Sequence, residues 1–282
     1  MLGTPEVTKQ WVRGYYAEST ELILNNWAGA PLAFHLGLDD GSCATRADAM
    51  VASNEYLATR ADIREGTRVL DSGCGVGGSS IWLCRDRRAR VVGITISPEQ
   101  VAIARRLARE AGLADRVEFH EMDFAATSFV AGSFDVVWNM ESMCHAFDKQ
   151  QYLRHVWHML APGGRFVCLD LFGRGGEEAP IVREMLRDWS MTSVPPVGEI
   201  RSALEEVGFV DVEHEDLTQE VHRPLQALQA MAANSRQMLR IEKATTGSCS
   251  AGHEAHVRGA LACAGAVAAG VLDYGYVGAR RP

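Results

Sequence analysis

Two short stretches of this 282-residue chain carry side chains whose types and spacing can do chemistry. The first, RVLDSGCGVGG at Arg68 to Gly78, places Gly73, Gly75 and Gly77 directly after an apolar strand end, and glycine admits backbone conformations that a side chain blocks. A ligand can therefore approach the main chain closely. The run SSIWLCR that follows has helical spacing and a serine pair at its start, which aims helix N-terminal amides at the crevice. This describes a nucleotide-type cofactor site, with the Asp71 carboxylate placed to accept a hydrogen bond; a tight structural turn explains the same glycines without a ligand. No Lys-Ser or Lys-Thr follows, so a phosphate-binding P-loop is excluded. The second stretch, FDVVWNMESMCHAFDK, sets a carboxylate (Glu141), an imidazole (His145) and a phenyl ring (Phe147) within seven residues. Such a set can accept a proton beside an aromatic face. In the alternative structural reading, Glu141 bonds the Asn139 turn and His145 caps the next helix.

The elements that must position these residues alternate from Arg68 onward: strand RVLDS, helix, strand RVVGITI, helix PEQVAIARRLAREAG, strand VEFHEMD, strand FDVVWNM, helix KQQYLRHVWHML and strand RFVCLDLF. Apolar strands separated by helices imply a mainly parallel sheet covered on both faces, with ligands at the carboxyl ends of the strands. Before it, Thr4 to Asn26 reads as one or two amphipathic helices started by Thr4-Pro5. Its aromatic cluster Trp11, Tyr15 and Tyr16 either packs on the domain or a neighbouring subunit, or forms part of an active-site lid.

VLDSGCGVGG, with an acidic residue two places before the first glycine, resembles the cofactor loop of the class I S-adenosylmethionine-dependent methyltransferases. The resemblance implies an α/β, doubly wound, Rossmann-like fold with a mainly parallel seven-stranded sheet, and S-adenosyl-L-methionine as cofactor. Asp71, Gly73, Cys74 and Gly75 would hold its methionine part. Where that family usually ends its second strand on an acidic residue for the ribose, this chain has Thr95 followed by Ile96, and Gln100 on the next helix supplies a second polar group. TxSxxQ resembles the subgroup of cyclopropane fatty acid synthases, sterol and tocopherol methyltransferases and prenyl C-methyltransferases; Ser97 is at the same time a plausible helix cap. The resemblance further implies Asp123 and Phe124 of EMDF at the adenine and Asn139 near the amino-acid end. LAPGGRF at Leu160 to Phe166 matches the family's turn into the fifth strand. MESMCHAFDK is similar to the ESxxHxxDK of tocopherol methyltransferases and the EATCHAPD of sterol methyltransferases, which makes Glu141 and His145 catalytic candidates; Tyr16, from the N-terminal aromatic cluster read as part of a lid, is the third. The FHLG stretch near His35 resembles HxG segments that precede the core in tocopherol-type enzymes.

Residues 1–62 are expected as a helical N-terminal segment, 63–221 as the cofactor-binding core, 222–268 as a helical lid insertion and 269–282 as the last core strand. In the lid, Met231, Met238 and Leu239 read as apolar lining or as core, and Arg236, Arg240 and Lys243 as a diphosphate site or as a solvated face. Hydrophobic residues make up 47% and charged residues 23%, ordinary for a soluble globular chain, and the net charge of −8 argues against a nucleic-acid surface. Seven scattered cysteines without a CxxC pair indicate neither a disulfide framework nor a zinc site, and fit a reducing cytoplasm. No leader or membrane span is apparent. The expected activity is C-methylation of an alkene carbon of an isoprenoid chain, in a prenylated metabolite such as a geranylated indole or in a prenyl diphosphate. N- or O-methylation and a non-catalytic cofactor-binding subunit are the alternatives. A homo-oligomer exchanging the Trp11 helix is also expected.

Overall fold

The computed structural model describes residues 4–29, 31–175 and 179–282. Helix α1 (Pro5–Asn26) starts on Thr4, whose hydroxyl accepts from the Val7 amide, and α2 (Arg46–Arg60) starts on a Thr45/Asp48 capping box. The core then alternates β1 (Arg68–Ser72), α3 (Gly78–Asp86), β2 (Arg90–Thr95), α4 (Pro98–Glu110), β3 (Val117–Glu121), β4 (Phe134–Met140), α5 (Lys149–Met159) and β5 (Leu160–Gly173). It closes with α6 (Pro180–Asp188), α7 (Val197–Val207), β6 (Val210–Asp216), α8 (His222–Thr246), α9 (Ala251–Ala268) and β7 (Leu272–Arg280).

The strands order β3-β2-β1-β4-β5-β7-β6, with β7 antiparallel to both neighbours and the other pairings parallel. The chain therefore reverses its winding between β1 and β4, and the crevice at the carboxyl ends of these strands is where such sheets bind ligands. Side chains alternate across the sheet: Val69 joins the core beneath α2, α3, α4 and α9, whereas Leu70 joins the core beneath α5 and α7. Both are fully buried, as a strand covered on two faces requires.

Several expectations change at the element ends. The third strand stops at Glu121, so Asp123 lies beyond it, where its carboxylate accepts from the Ala125 amide at 2.9 Å and starts a short 3-10 turn. LAPGGRF is absorbed into β5 as a register irregularity between Phe134 and Val136 of β4. The serine pair does not cap α3: Gly77 takes the cap position, while Ser79 donates to Asn54 and Ser80 to Asp71.

The segment expected as a lid folds as α8 and α9, but none of its described residues lines the crevice. Its apolar content makes core instead: Leu239 is buried, Met231 half-buried in the same cluster, and Met238 faces outward at 64% exposure. The roof is α1. Among the described residues, no helix is long and apolar enough to cross a membrane, and no group of His, Cys, Asp or Glu has metal-binding geometry.

Candidate active site

The crevice has two connected lobes. The larger, about 290 Å³, runs over the ends of β2 and β3, lined by Thr95, Ile96, Gln100, Asp123 and Phe124 and roofed by Lys9, Val12 and Tyr16. The smaller, about 100 Å³, lies over β1 and β4 and is lined by Asp71, Gly73, Cys74, Gly75 and Glu141, with His35 and Phe34 opposite. Tyr16, Gly73, Gly75, Gln100 and Ser142 line both. Of the thirteen site residues picked from sequence, twelve therefore meet in one crevice.

Asn139 does not. It is fully buried, with its amide nitrogen donating to Tyr152 Oη at 2.9 Å and its amide oxygen accepting from the Met143 amide at 3.0 Å. Placed behind the crevice wall, it ties β4 to the turn that carries His145, and this replaces the expected contact with the cofactor's amino-acid end.

The glycine loop fits a ligand by what it lacks. Gly73 sits at φ +91°, in the left-handed region, and a Cβ there would stand 2.5 Å from Ser142 Cβ and 2.7 Å from its Oγ. The loop is held open by Gly73 and Cys74 amides donating to the Ile94 carbonyl at 3.0 and 2.9 Å, and by Ser142 Oγ donating to the Ser72 carbonyl. In the larger lobe Thr95 Oγ1 donates to Gln100 Oε1 at 2.7 Å, and Gln100 Nε2 donates to Thr20 Oγ1 of α1 at 3.3 Å. Ser97 caps α4 as well, accepting from the Gln100 amide at 3.2 Å. The cap and ligand readings of TxSxxQ are thus geometrically compatible. Asp123 meets Lys9 Nζ at 3.3 Å and Glu121 meets Arg13 at 2.7 Å, so α1 is pinned across the lobe by two partly exposed, individually weak ion pairs.

The reactive groups gather where the lobes join. His145 Nδ1 lies 2.9 Å from the Ser190 carbonyl, which only accepts, so Nδ1 carries the proton and Nε2 accepts from Tyr16 Oη at 3.0 Å. Burial, the leading cause, lowers His145 to about 4 and keeps it neutral, and the same burial pushes the Tyr16 phenol up.

Glu141 occupies a left-handed backbone position at φ +48°, uncommon for a residue with a side chain and shared with loop residues such as Asp62 and Arg88. Its Oε1 accepts from the Leu36 amide at 2.7 Å and from Tyr274 Oη at 2.8 Å. Burial raises it to about 8, against the opposing pull of those two donors. Asp71, accepting from Ser80 Oγ at 2.5 Å, is raised to about 7 by burial as well. Sequence reasoning missed Ser142, Tyr274 and the Leu36 amide; only Ser142, inside the MESMCH stretch, had a local signal.

A doubly wound sheet with β7 antiparallel, a glycine loop without phosphate-binding lysine and a two-lobed crevice at the switch point define a class I S-adenosylmethionine-dependent methyltransferase. A family model described as a methyltransferase domain matches residues 69–164. The 27-O-demethylrifamycin SV methyltransferase of Amycolatopsis mediterranei (strain S699) is 33% identical over 188 residues, 66% of this chain and 69% of the relative. The chain belongs to this family, and its cofactor is S-adenosylmethionine. Methyltransferase GfsG of Streptomyces halstedii is 37% identical over 58% of the chain, a stretch that spans only 59% of that relative. Among solved structures, the [4+2]-cyclase SpnF superposes with a TM-score of 0.81 at 25% identity, over 98% of this chain and 97% of that one. Geranyl diphosphate C-methyltransferase from Streptomyces coelicolor A3(2) superposes with a TM-score of 0.78 at 21% identity, each chain being wholly covered.

The raised Glu141 predicts a coupling between cofactor charge and a proton. At pH 7 a carboxyl near 8 holds its proton in the ligand-free protein, and a sulfonium cation entering the crevice favours the anion. Calorimetry in buffers of different ionisation enthalpy is expected to show proton release, up to about one, on binding S-adenosylmethionine at pH 7. The uncharged-sulfur product S-adenosylhomocysteine should release markedly less, and Glu141→Gln should reduce the difference to the share that Asp71, raised to about 7 in the same lobe, contributes.

Proposed function

We propose that the protein methylates an alkene carbon of an isoprenoid chain in a small-molecule acceptor. Bound S-adenosylmethionine supplies an electrophilic methyl group on a sulfonium. The alkene's π electrons form the new C–C bond as the S–C bond breaks, and the adjacent carbon of the acceptor is left cationic. The observation that carries this reading is the company kept at the lobe junction: a desolvated carboxyl, a neutral imidazole with its free lone pair on a phenol, and the aromatic Tyr16, Phe34 and Phe147 on the surrounding walls. Glu141 as the anion stabilises the developing cation and can accept the proton whose loss gives an olefin. Tyr16 presents a π face to the cation, held in place by His145. The likeness of MESMCHAFDK to the corresponding stretches of C-methylating sterol and tocopherol enzymes supports the same assignment.

A second reading is favoured by the likeness to a protein named as a [4+2]-cyclase: the chain binds the cofactor but catalyses a reaction other than transfer. Incubation with methyl-labelled S-adenosylmethionine and prenylated acceptors, with the label located by mass spectrometry, separates the readings. Label on carbon is the expected result; label on nitrogen or oxygen assigns heteroatom methylation, with His145 as base; no label despite cofactor binding assigns the second reading.

Tyr16→Phe keeps the ring and removes only the bond to His145. Its expected cost is about tenfold in kcat, the scale of one hydrogen bond, with affinity for S-adenosylhomocysteine unchanged. Tyr16→Ala, which also removes the ring face, should cost clearly more, and equal rates for the two variants would remove the ring from the mechanism.

A further inference from the structure

His145 sits on a short 3-10 turn, Met143–His145, whose backbone groups are taken up by side chains from outside it. From β5, the fully buried Asp170 carboxylate accepts from the Cys144 amide at 3.1 Å, while its other oxygen accepts from the Leu171 amide at 2.9 Å. From the first turn of α5, Lys149 Nζ donates to the Ala146 carbonyl at 2.8 Å, to the Cys144 carbonyl at 3.4 Å and to Thr192 Oγ1 at 2.9 Å. Thr192 completes the clamp. Its amide donates to the Cys144 carbonyl at 2.8 Å, and its hydroxyl lies 2.7 Å from both the Cys144 and the Ala146 carbonyls. A hydroxyl has one proton to give, so it serves one carbonyl at a time, and the ammonium group with its three donors serves the other.

The segment that brings Thr192 also brings the acceptor that sets the His145 tautomer. Ser190, two residues earlier, is buried at a left-handed φ of +53°, and its carbonyl lies 2.9 Å from His145 Nδ1. The clamp therefore ties the imidazole's turn to the segment carrying its acceptor, and which ring nitrogen keeps its lone pair depends on that alignment. Neither Lys149, Thr192 nor Asp170 lines either lobe of the crevice.

We infer that Lys149 and Thr192 are positioning residues for the reaction: they act through His145, holding Nδ1 on the Ser190 carbonyl so that Nε2 stays the nitrogen that accepts from Tyr16. This rests on the reading above that Tyr16 and His145 serve the reaction centre. The charge of Lys149 works in the same direction as its geometry. Burial keeps His145 neutral against the pull of the Ser190 carbonyl, and the nearby ammonium adds to burial in opposing a second proton on the ring.

The test compares three variants of the full chain: Thr192→Val, which keeps the shape and loses the hydroxyl, Thr192→Ser, which keeps the hydroxyl, and Lys149→Met, which keeps the stem and loses the donors. The first readout needs no turnover. With histidine rings labelled with nitrogen-15 and S-adenosylhomocysteine saturating, the signals of His145, one of nine histidines, are assigned by their absence in His145→Ala. The parent is expected to show one protonated and one unprotonated ring nitrogen. In Thr192→Val and Lys149→Met the two signals should move toward each other as the tautomers mix, while Thr192→Ser stays like the parent.

The second readout is methyl transfer. Thr192→Val and Lys149→Met are expected to lose about tenfold in kcat, the scale of one hydrogen bond, with KM for S-adenosylmethionine within about twofold and Thr192→Ser close to the parent. In a His145→Ala background the same two substitutions should cost less than about twofold more, because residues that act through one group are not additive. A parent-like tautomer in both variants, losses that multiply in the His145→Ala background, or loss of S-adenosylhomocysteine affinity in Thr192→Val overturns the inference. A shifted tautomer with parent-like turnover instead takes down the reading beneath it, that Tyr16 and His145 serve the reaction.

Discussion

Glu141→Gln is expected to lower methyl transfer by about 10²–10⁴-fold, the range spanned by loss of a positioned acid–base group, while S-adenosylhomocysteine affinity stays within a few-fold. The substitution is nearly isosteric. The amide oxygen of Gln can still accept from the Leu36 amide and Tyr274 Oη, so the link between the Leu36 segment, β4 and β7 survives. What disappears is the ability to become an anion when positive charge appears in the crevice. A stability measurement separates this from misfolding. Glutamate ionises near 4.5 in the unfolded chain and near 8 in the folded one, so between these values the folded state holds the extra proton. Stability of the parent protein therefore falls as pH rises through that window, and this contribution is missing in the Gln variant. The variant should be at least as stable as the parent at pH 5 and more stable at pH 8.5. Parent-like turnover would remove Glu141 from the mechanism.

How much of this site was readable from sequence follows from the range of each interaction. The glycine loop, Thr95 and Gln100 were legible because short-range rules fix them: a strand end, a tight turn and a helix start lie within a few residues of one another. Asp123 was placed in the right crevice although its strand ended earlier, since the turn after β3 points the same way. Asn139 was misplaced because its partner Tyr152 sits on the following helix, and nothing in FDVVWNM announces that its amide is needed there.

The sequence offered two roofs, residues 222–268 and the Trp11–Tyr16 helix, and could not choose between them for a related reason. Helical periodicity shows that residues 222–268 form helices, but not which face of the sheet they cover. Contacts between α9 and both α6 and α1 place them under the N-terminal helix, leaving α1 to close the crevice. Tyr274 and the Leu36 amide meet Glu141 from opposite ends of the chain, and no local pattern can report such a meeting.

Gly73→Ala is expected to weaken S-adenosylmethionine and S-adenosylhomocysteine binding by on the order of 100-fold or more, measured by calorimetry, with a lower thermal midpoint. Two costs add at this position. A left-handed φ of +91° is strained for any residue with a Cβ, at about 1–3 kcal/mol, and the new methyl group would fall 2.5 Å from Ser142 Cβ, an overpacking that typically costs a further 1–3 kcal/mol. The strain is relieved only if the loop or Ser142 moves. Ser142 is held by its bond to the Ser72 carbonyl and lines both lobes, so its displacement deforms the cofactor site from the side opposite the glycines. The double variant Gly73→Ala/Ser142→Gly removes the clash but not the φ penalty, and should recover part of the affinity. If Gly73→Ala alone bound both cofactor forms like the parent, the claim that this loop is shaped for close approach of a ligand would be lost.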